Sequence, residues 1–82
     1  MYVRSPEHLA IRDLLVELRK ARFDTQPEFA KAAGWGKNRV ERIESGGKIP
    51  NALEERHWAI TCKVKPLAYY RKREKRIREN RE

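Results

Sequence analysis

The chain has 82 residues and carries 20 Lys+Arg against 12 Asp+Glu, a formal charge of +8. A length of that order makes one small domain with a modest core, and the positive balance selects a polyanionic partner, nucleic acid before an anionic membrane surface. Cys62 is the single cysteine, which excludes an internal disulfide framework and a cysteine-built zinc site, and no apolar run approaches the roughly 20 residues that span a bilayer.

Glu7, His8, Arg12 and Asp13 interrupt the apolar stretch behind the opening Met1-Tyr2-Val3-Arg4, so no signal-peptide pattern forms and a cytoplasmic protein is expected. Ser5-Pro6-Glu7 reads as a helix start: an N-cap serine, proline in the first turn and an early acid. Ile11, Leu14, Leu15 and Leu18 then recur on one face, and Arg12, Asp13, Glu17, Arg19 and Lys20 on the other, predicting an amphipathic helix to about Ala21 or Arg22.

Thr25-Gln26-Pro27-Glu28 is a capping box, with the Thr25 hydroxyl accepting from the Glu28 N–H and the Glu28 carboxylate reaching back to the Thr25 N–H. Phe29, Ala30 and Ala33 face inward, and Gly34 stops this second helix in a left-handed conformation. Trp35 is expected to tuck under the joint. Gly36 opens a third helix whose only apolar anchors are Val40 and Ile43, and Ser45-Gly46-Gly47 closes it.

Asn51-Ala52-Leu53-Glu54 is a second capping box. It predicts a fourth helix to about Cys62 with Leu53, Ile60 and one of Trp58 or Ala59 on the core face. Pro66 marks a fifth start, with Leu67 and Tyr70 on one side. From Lys65 onward there are eight Lys/Arg and three Glu, so 8 − 3 = +5 of the total +8 sits in this tail. Three readings of the tail stand: a solvated helix supported by a Glu74–Arg78 ion pair, a basic arm that neutralises phosphates, or a dimer contact through Leu67, Tyr69 or Tyr70 and Ile77. The preferred form is a helical start with a frayed, phosphate-neutralising end. No strand signal and no internal repeat occurs, so the fold class is all-α, four to five helices, with a domain over residues 5–66 and a basic helix or tail over 67–82.

Two short helices joined by a glycine-bearing turn, the second ending at glycines, form a helix-turn-helix pattern. With so narrow a buried stripe, the third helix leaves Lys37, Asn38, Arg39, Glu41 and Arg42 on its surface. Arg and Lys suit guanine edges and Asn suits adenine, and a recognition helix places such residues in the major groove. "LRKARFDTQPEFAKAAGW" and "RVERIESGGKIP" together resemble the Cro/repressor-type helix-turn-helix domain, the XRE family, which includes phage repressors and restriction-modification controller proteins. The resemblance spans residues 15 to 64 and rests on the ordered set Thr25-Gln26, Phe29-Ala30, Gly34, Val40, Ile43-Glu44, Gly46 and Pro50. The chain departs from the pattern at Phe23-Asp24, Trp35 and Gly36, and matches it poorly over "EERHWAITCKVKP".

That resemblance implies a lambda-repressor-like fold and a sequence-specific regulator of transcription, by default a repressor, dimeric on an inverted repeat of double-stranded DNA. It implies that Gln26 meets a phosphate and braces the recognition helix, and Thr25 beside it is expected among the DNA-binding residues. Lys37, Asn38 and Arg42, with Glu41 beside them, would read bases, and Arg39, Ser45 and Lys48 would lie along the backbone. It also implies that Glu44 steadies Arg19 across the first and third helices. RNA polymerase or a regulatory protein is a further partner it allows, and DNA would carry the protein to the nucleoid.

Two rivals remain open: an antitoxin or anti-activator that binds another protein, and a non-specific nucleic-acid binder driven by the tail. His8, His57 and Cys62 have no partners at catalytic or metal-ligand spacing. The expectation is therefore a non-enzyme with no cofactor, no metal and no membrane partner.

Overall fold

A computed structural model describes residues 5–80, which form five helices and no strand. Met1 to Arg4, and Arg81 and Glu82 at the expected frayed end, lie outside the described residues. The first helix, α1 (Pro6–Arg22), opens as its sequence dictates: Ser5 Oγ accepts from the His8 N–H at 3.3 Å and Pro6 occupies the first turn. It buries Ala10, Ile11, Leu14 and Leu15 and ends where Phe23 turns extended.

Helix α2 (Gln26–Ala33) begins at Thr25, whose Oγ1 accepts from the Glu28 N–H at 3.3 Å. The Glu28 carboxylate returns to the Thr25 hydroxyl at 3.0 Å, so threonine's side chain carries both halves of the exchange. Gly34 ends the helix at φ 73°. No atom lies within 4 Å of where its Cβ would stand, so the backbone angle, and not crowding, calls for glycine here. Helix α3 (Lys37–Ser45) starts at Gly36 without a side-chain cap and stops at Gly46, again left-handed. Helix α4 (Ala52–Thr61) starts on a complete capping box between Asn51 and Glu54. After it, Lys63 at φ 64° turns the chain into α5 (Pro66–Asn80).

Phe29, Trp58, Leu15 and Tyr69 form the middle of the core, joined by Val40 and Ile43 from α3. The Phe29 and Trp58 ring centroids are 4.4 Å apart, and the Trp58 indole N–H donates to the Leu15 carbonyl at 2.8 Å. These contacts set the rotation of α4 and correct the expected core face. Once Trp58 points inward, the positions three and four residues before it, Glu54 and Glu55, and the one four after it, Cys62, turn the same way, with Thr61 at the half-exposed edge. Glu54, Glu55 and Cys62 are buried, together with Ala59, whereas Leu53 is 77% exposed and Ile60 also faces out.

The buried acids are satisfied. Glu55 accepts from the Tyr69 hydroxyl at 2.6 Å and from Arg73 Nε at 2.8 Å. Glu54 closes the capping box and lies 3.3 Å from Lys48 Nζ. For the same reason Tyr69, and neither Leu67 nor Tyr70, is the fully buried residue of α5.

Helix α5 runs on to Asn80 because two of its cations are anchored. Arg73 meets Glu55, and Arg76 donates to Glu17 of α1 at 2.6 Å. Glu74 pairs with Arg73 at 3.0 Å and not with Arg78. Among the described residues no helix is long and apolar enough to cross a membrane.

Candidate nucleic-acid interface

Helix α3 has three sides. Val40 and Ile43 are sunk in the core. On one flank Glu44 accepts from Arg19 Nε at 2.9 Å, from Arg19 Nη2 at 2.8 Å and from Gln26 Nε2 at 2.9 Å. Three helices are tied at that carboxylate, because Arg19 belongs to α1 and Gln26 opens α2. Arg19 also reaches the Phe23 and Asp24 carbonyls at 3.4 and 3.3 Å, which fastens the loop before α2. The hydrogen bond to Glu44 outweighs burial and raises the Arg19 pKa above its ordinary value. On the other flank the Arg39 guanidinium stands 5.1 Å from the Trp35 ring centroid and 3.9 Å from Glu54.

The third side is left to solvent. Residues 38, 42 and 45 lie opposite Val40 and Ile43, with 37 and 41 along the edge of that side, and each side chain there is exposed or half-exposed. Lys37 and Glu41 form a loose ion pair of 3.5 Å along the helix. Asn38 and Arg42 make no side-chain hydrogen bond or ion pair among the described residues; only the Arg42 carbonyl is used, accepting from Ser45 Oγ and the Lys48 N–H. Ser45 Oγ also accepts from the Gly47 N–H at 3.4 Å.

The nine residues singled out in the sequence therefore separate into groups. Lys37, Asn38, Glu41, Arg42 and Ser45 share the outward face of α3. Arg39 and Lys48 lie on its Glu54 flank, Gln26 on the Glu44 flank, and Thr25 is the exposed cap of α2.

Sequence reasoning missed Arg12 and Lys20. Both line the open depression between α1 and α3 that Gln26, Glu41 and Ser45 also border. Arg12 Nη1 reaches the Glu44 carbonyl at 3.2 Å while its Nε pairs with Asp13 at 2.7 Å. The signal was present: residue 12 lies seven positions, two turns, before Arg19 and so falls on the side of α1 that faces α3.

Chemically the face offers charged and amide hydrogen-bond donors, with the Asn38 carbonyl and Glu41 as acceptors. No group of three or more His, Cys, Asp or Glu among the described residues is placed to hold a metal ion. The His57 Nε2–H donates to the Ala33 carbonyl at 2.6 Å, which secures the end of α2. Cys62 is buried, and that burial pushes its thiol up to about 11, against the pull of Arg22 and Arg19. No protein-family model, curated protein or solved structure matches the chain.

Proposed function

We propose that this protein is a sequence-specific double-stranded DNA-binding regulator of the Cro/repressor helix-turn-helix type, acting as a repressor in dimeric form. The observation that carries the reading is the posture of α3. Val40 and Ile43 root it, Glu44 and Arg39 fasten its flanks, and Asn38 and Arg42 extend from its remaining side with no partner among the described residues. A clamped helix with a free amide in its first turn, at Asn38, and a free guanidinium further along the same side, at Arg42, offers the groups that major-groove reading requires. Gln26 leaves its amide on Glu44, so its contribution is to orient the helix, and the exposed amino end of α2 lies beside it for a phosphate.

One α3 reads only a few base pairs. Two copies on half-sites about one helical turn apart supply the remaining specificity. Occupancy then follows the protein's own concentration. Selection of bound duplexes from a random library tests the proposal: an enriched inverted repeat is the expected result, and recovery of unenriched sequence overturns it.

Leu53, Ile60 and Leu67 are exposed apolar side chains and favour a second reading, a module that binds another protein. A partner complex insensitive to salt, with no enriched duplex, would establish that reading instead.

A further inference from the structure

The cations of α5 fall into two sets. Arg73 and Arg76 are half-buried and engaged, with Glu55, Glu74 and Glu17. Arg71, Lys72, Lys75 and Arg78 are exposed and make no ion pair among the described residues. Arg71, Lys75 and Arg78 follow one another at spacings of four and three, a single column along the helix, with Lys72 beside it.

This column does not continue the α3 face. Helix α1 stands between them: Arg12 and Arg19, seven apart and so on one side of α1, reach Glu44 of α3. Glu17 is five positions after Arg12, well around the helix, and it takes Arg76 of α5. Helix α5 packs on α1 and α4, whereas α3 packs on α1 and α2.

We infer that the outward face of α5 is a second, sequence-independent docking face for duplex phosphates, through which one molecule holds a second DNA segment while α3 engages the first. Charge complementarity selects the occupant. Three unpaired cations in a column with Lys72 beside it, against the single exposed acid Glu79 on the same face, match a polyphosphate backbone, which binds through counterion release and needs no shaped pocket. A lipid surface is disfavoured, because an interfacial helix must sink an apolar face among the acyl chains. The apolar face of α5 is already spent on the core through Tyr69 and Ile77, and its outer column offers only Leu67 as a large apolar group. Holding two segments rests on the reading of α3; phosphate binding by α5 does not.

The test uses the full chain with Arg71→Gln, Lys72→Gln, Lys75→Gln and Arg78→Gln combined, and a milder Lys72→Gln/Lys75→Gln variant should the fourfold one lose its helical circular dichroism. Substitution replaces truncation because a deletion from residue 71 would also remove Arg73, Arg76 and Ile77, which hold α5 to Glu55, Glu17 and the core. Affinity for a duplex of random sequence is measured against salt, and a bead-bound duplex is tested for protein-dependent capture of a second, labelled duplex. The fourfold variant is expected to flatten the log–log salt slope by about 3 to 4 in total, at about 0.9 for each phosphate no longer neutralised. It is also expected to lose capture of the second duplex while still binding the first.

An unchanged slope overturns the inference. So does capture that persists in the variant, as it would if a dimer bridged through its two α3 helices, and so does a wild-type protein that captures no second duplex. Binding to phosphatidylserine-containing vesicles through these four residues, without duplex binding, overturns it as well. Failure of the α3 reading shows separately, as a duplex selection that enriches nothing while the slope change in the α5 variant remains.

Discussion

Arg19 of α1 and Glu44 of α3 meet through two parallel hydrogen bonds, Nε to Oε2 at 2.9 Å and Nη2 to Oε1 at 2.8 Å, with both side chains only 7% exposed. Gln26 adds a third donor to the same carboxylate. A charge pair this deep is costly to open from one side, because the survivor stays buried without its counterpart. Arg19→Ala or Glu44→Ala is therefore expected to lower unfolding free energy by roughly 3–5 kcal/mol. Replacing both by apolar residues of similar volume should cost much less. Urea titrations of the two single variants and the double check this, and equal losses in all three would refute the account.

Asn38 and Arg42 give the opposite expectation. Neither side chain supports the fold, so Asn38→Ala and Arg42→Ala should shift unfolding free energy by no more than about 0.5 kcal/mol. Against the selected duplex each should relax base preference by about 1–3 kcal/mol. Competition between the selected site and single-base variants, beside thermal melts, separates the two effects. A loss that is uniform over all sequences would mean that these residues touch only phosphates.

The rotation of α4 is checked by a contrast within one helix. Leu53→Ser should be nearly silent in the monomer, within about 0.5 kcal/mol. Trp58→Ala should cost roughly 3–5 kcal/mol, since it removes a buried aromatic and the bond to the Leu15 carbonyl. Denaturant midpoints at matched concentration decide between this register and one with Leu53 inside. A stability loss in Leu53→Ser that grows with protein concentration would place Leu53 in a subunit contact.

Alkaline pH should weaken the fold in two stages. The buried Cys62 thiol ionises near 11 where the unfolded thiol does so at about 9.0. The unfolded chain therefore sheds this proton first, and the stabilisation is complete below about pH 9 and declines from there towards pH 11. The full effect is on the order of 2–3 kcal/mol. Burial, and after it the hydrogen bond to Glu55, raises the Tyr69 phenol above its ordinary 10.0, so its contribution declines in the same direction from pH 10 upward. Urea midpoints between pH 8 and 11 should fall, and Cys62→Ala should remove the earlier part of the decline. A profile flat to pH 11 would contradict the burial assigned to both groups.

Helix boundaries were legible because their chemistry is local. Ser5-Pro6, Thr25, Gly34 and Asn51 each occupy the cap their residue type favours. The α3 anchors and its polar face were equally plain from spacing, whereas the Arg19–Glu44 pair was legible only through the family resemblance. Helix α4 was misread because two acids lie inside it while Leu53 and Ile60 lie outside. What turns it are the Trp58 indole on Leu15 and the Tyr69 hydroxyl on Glu55, at separations of 43 and 14 residues, which no window along the chain registers. The Arg12 contact was overlooked because a cation on a polar helix face resembles any solvated one until its neighbour is known.

The seating of Tyr69 against Glu55 bears on how such a chain can evolve. The carboxyl-terminal helix carries much of the excess charge and also walls in the hydrophobic interior, so it cannot be shed like an ordinary tail. Lineages can retune electrostatics only by exchanging individual outward residues, with the tyrosine and its glutamate kept in step.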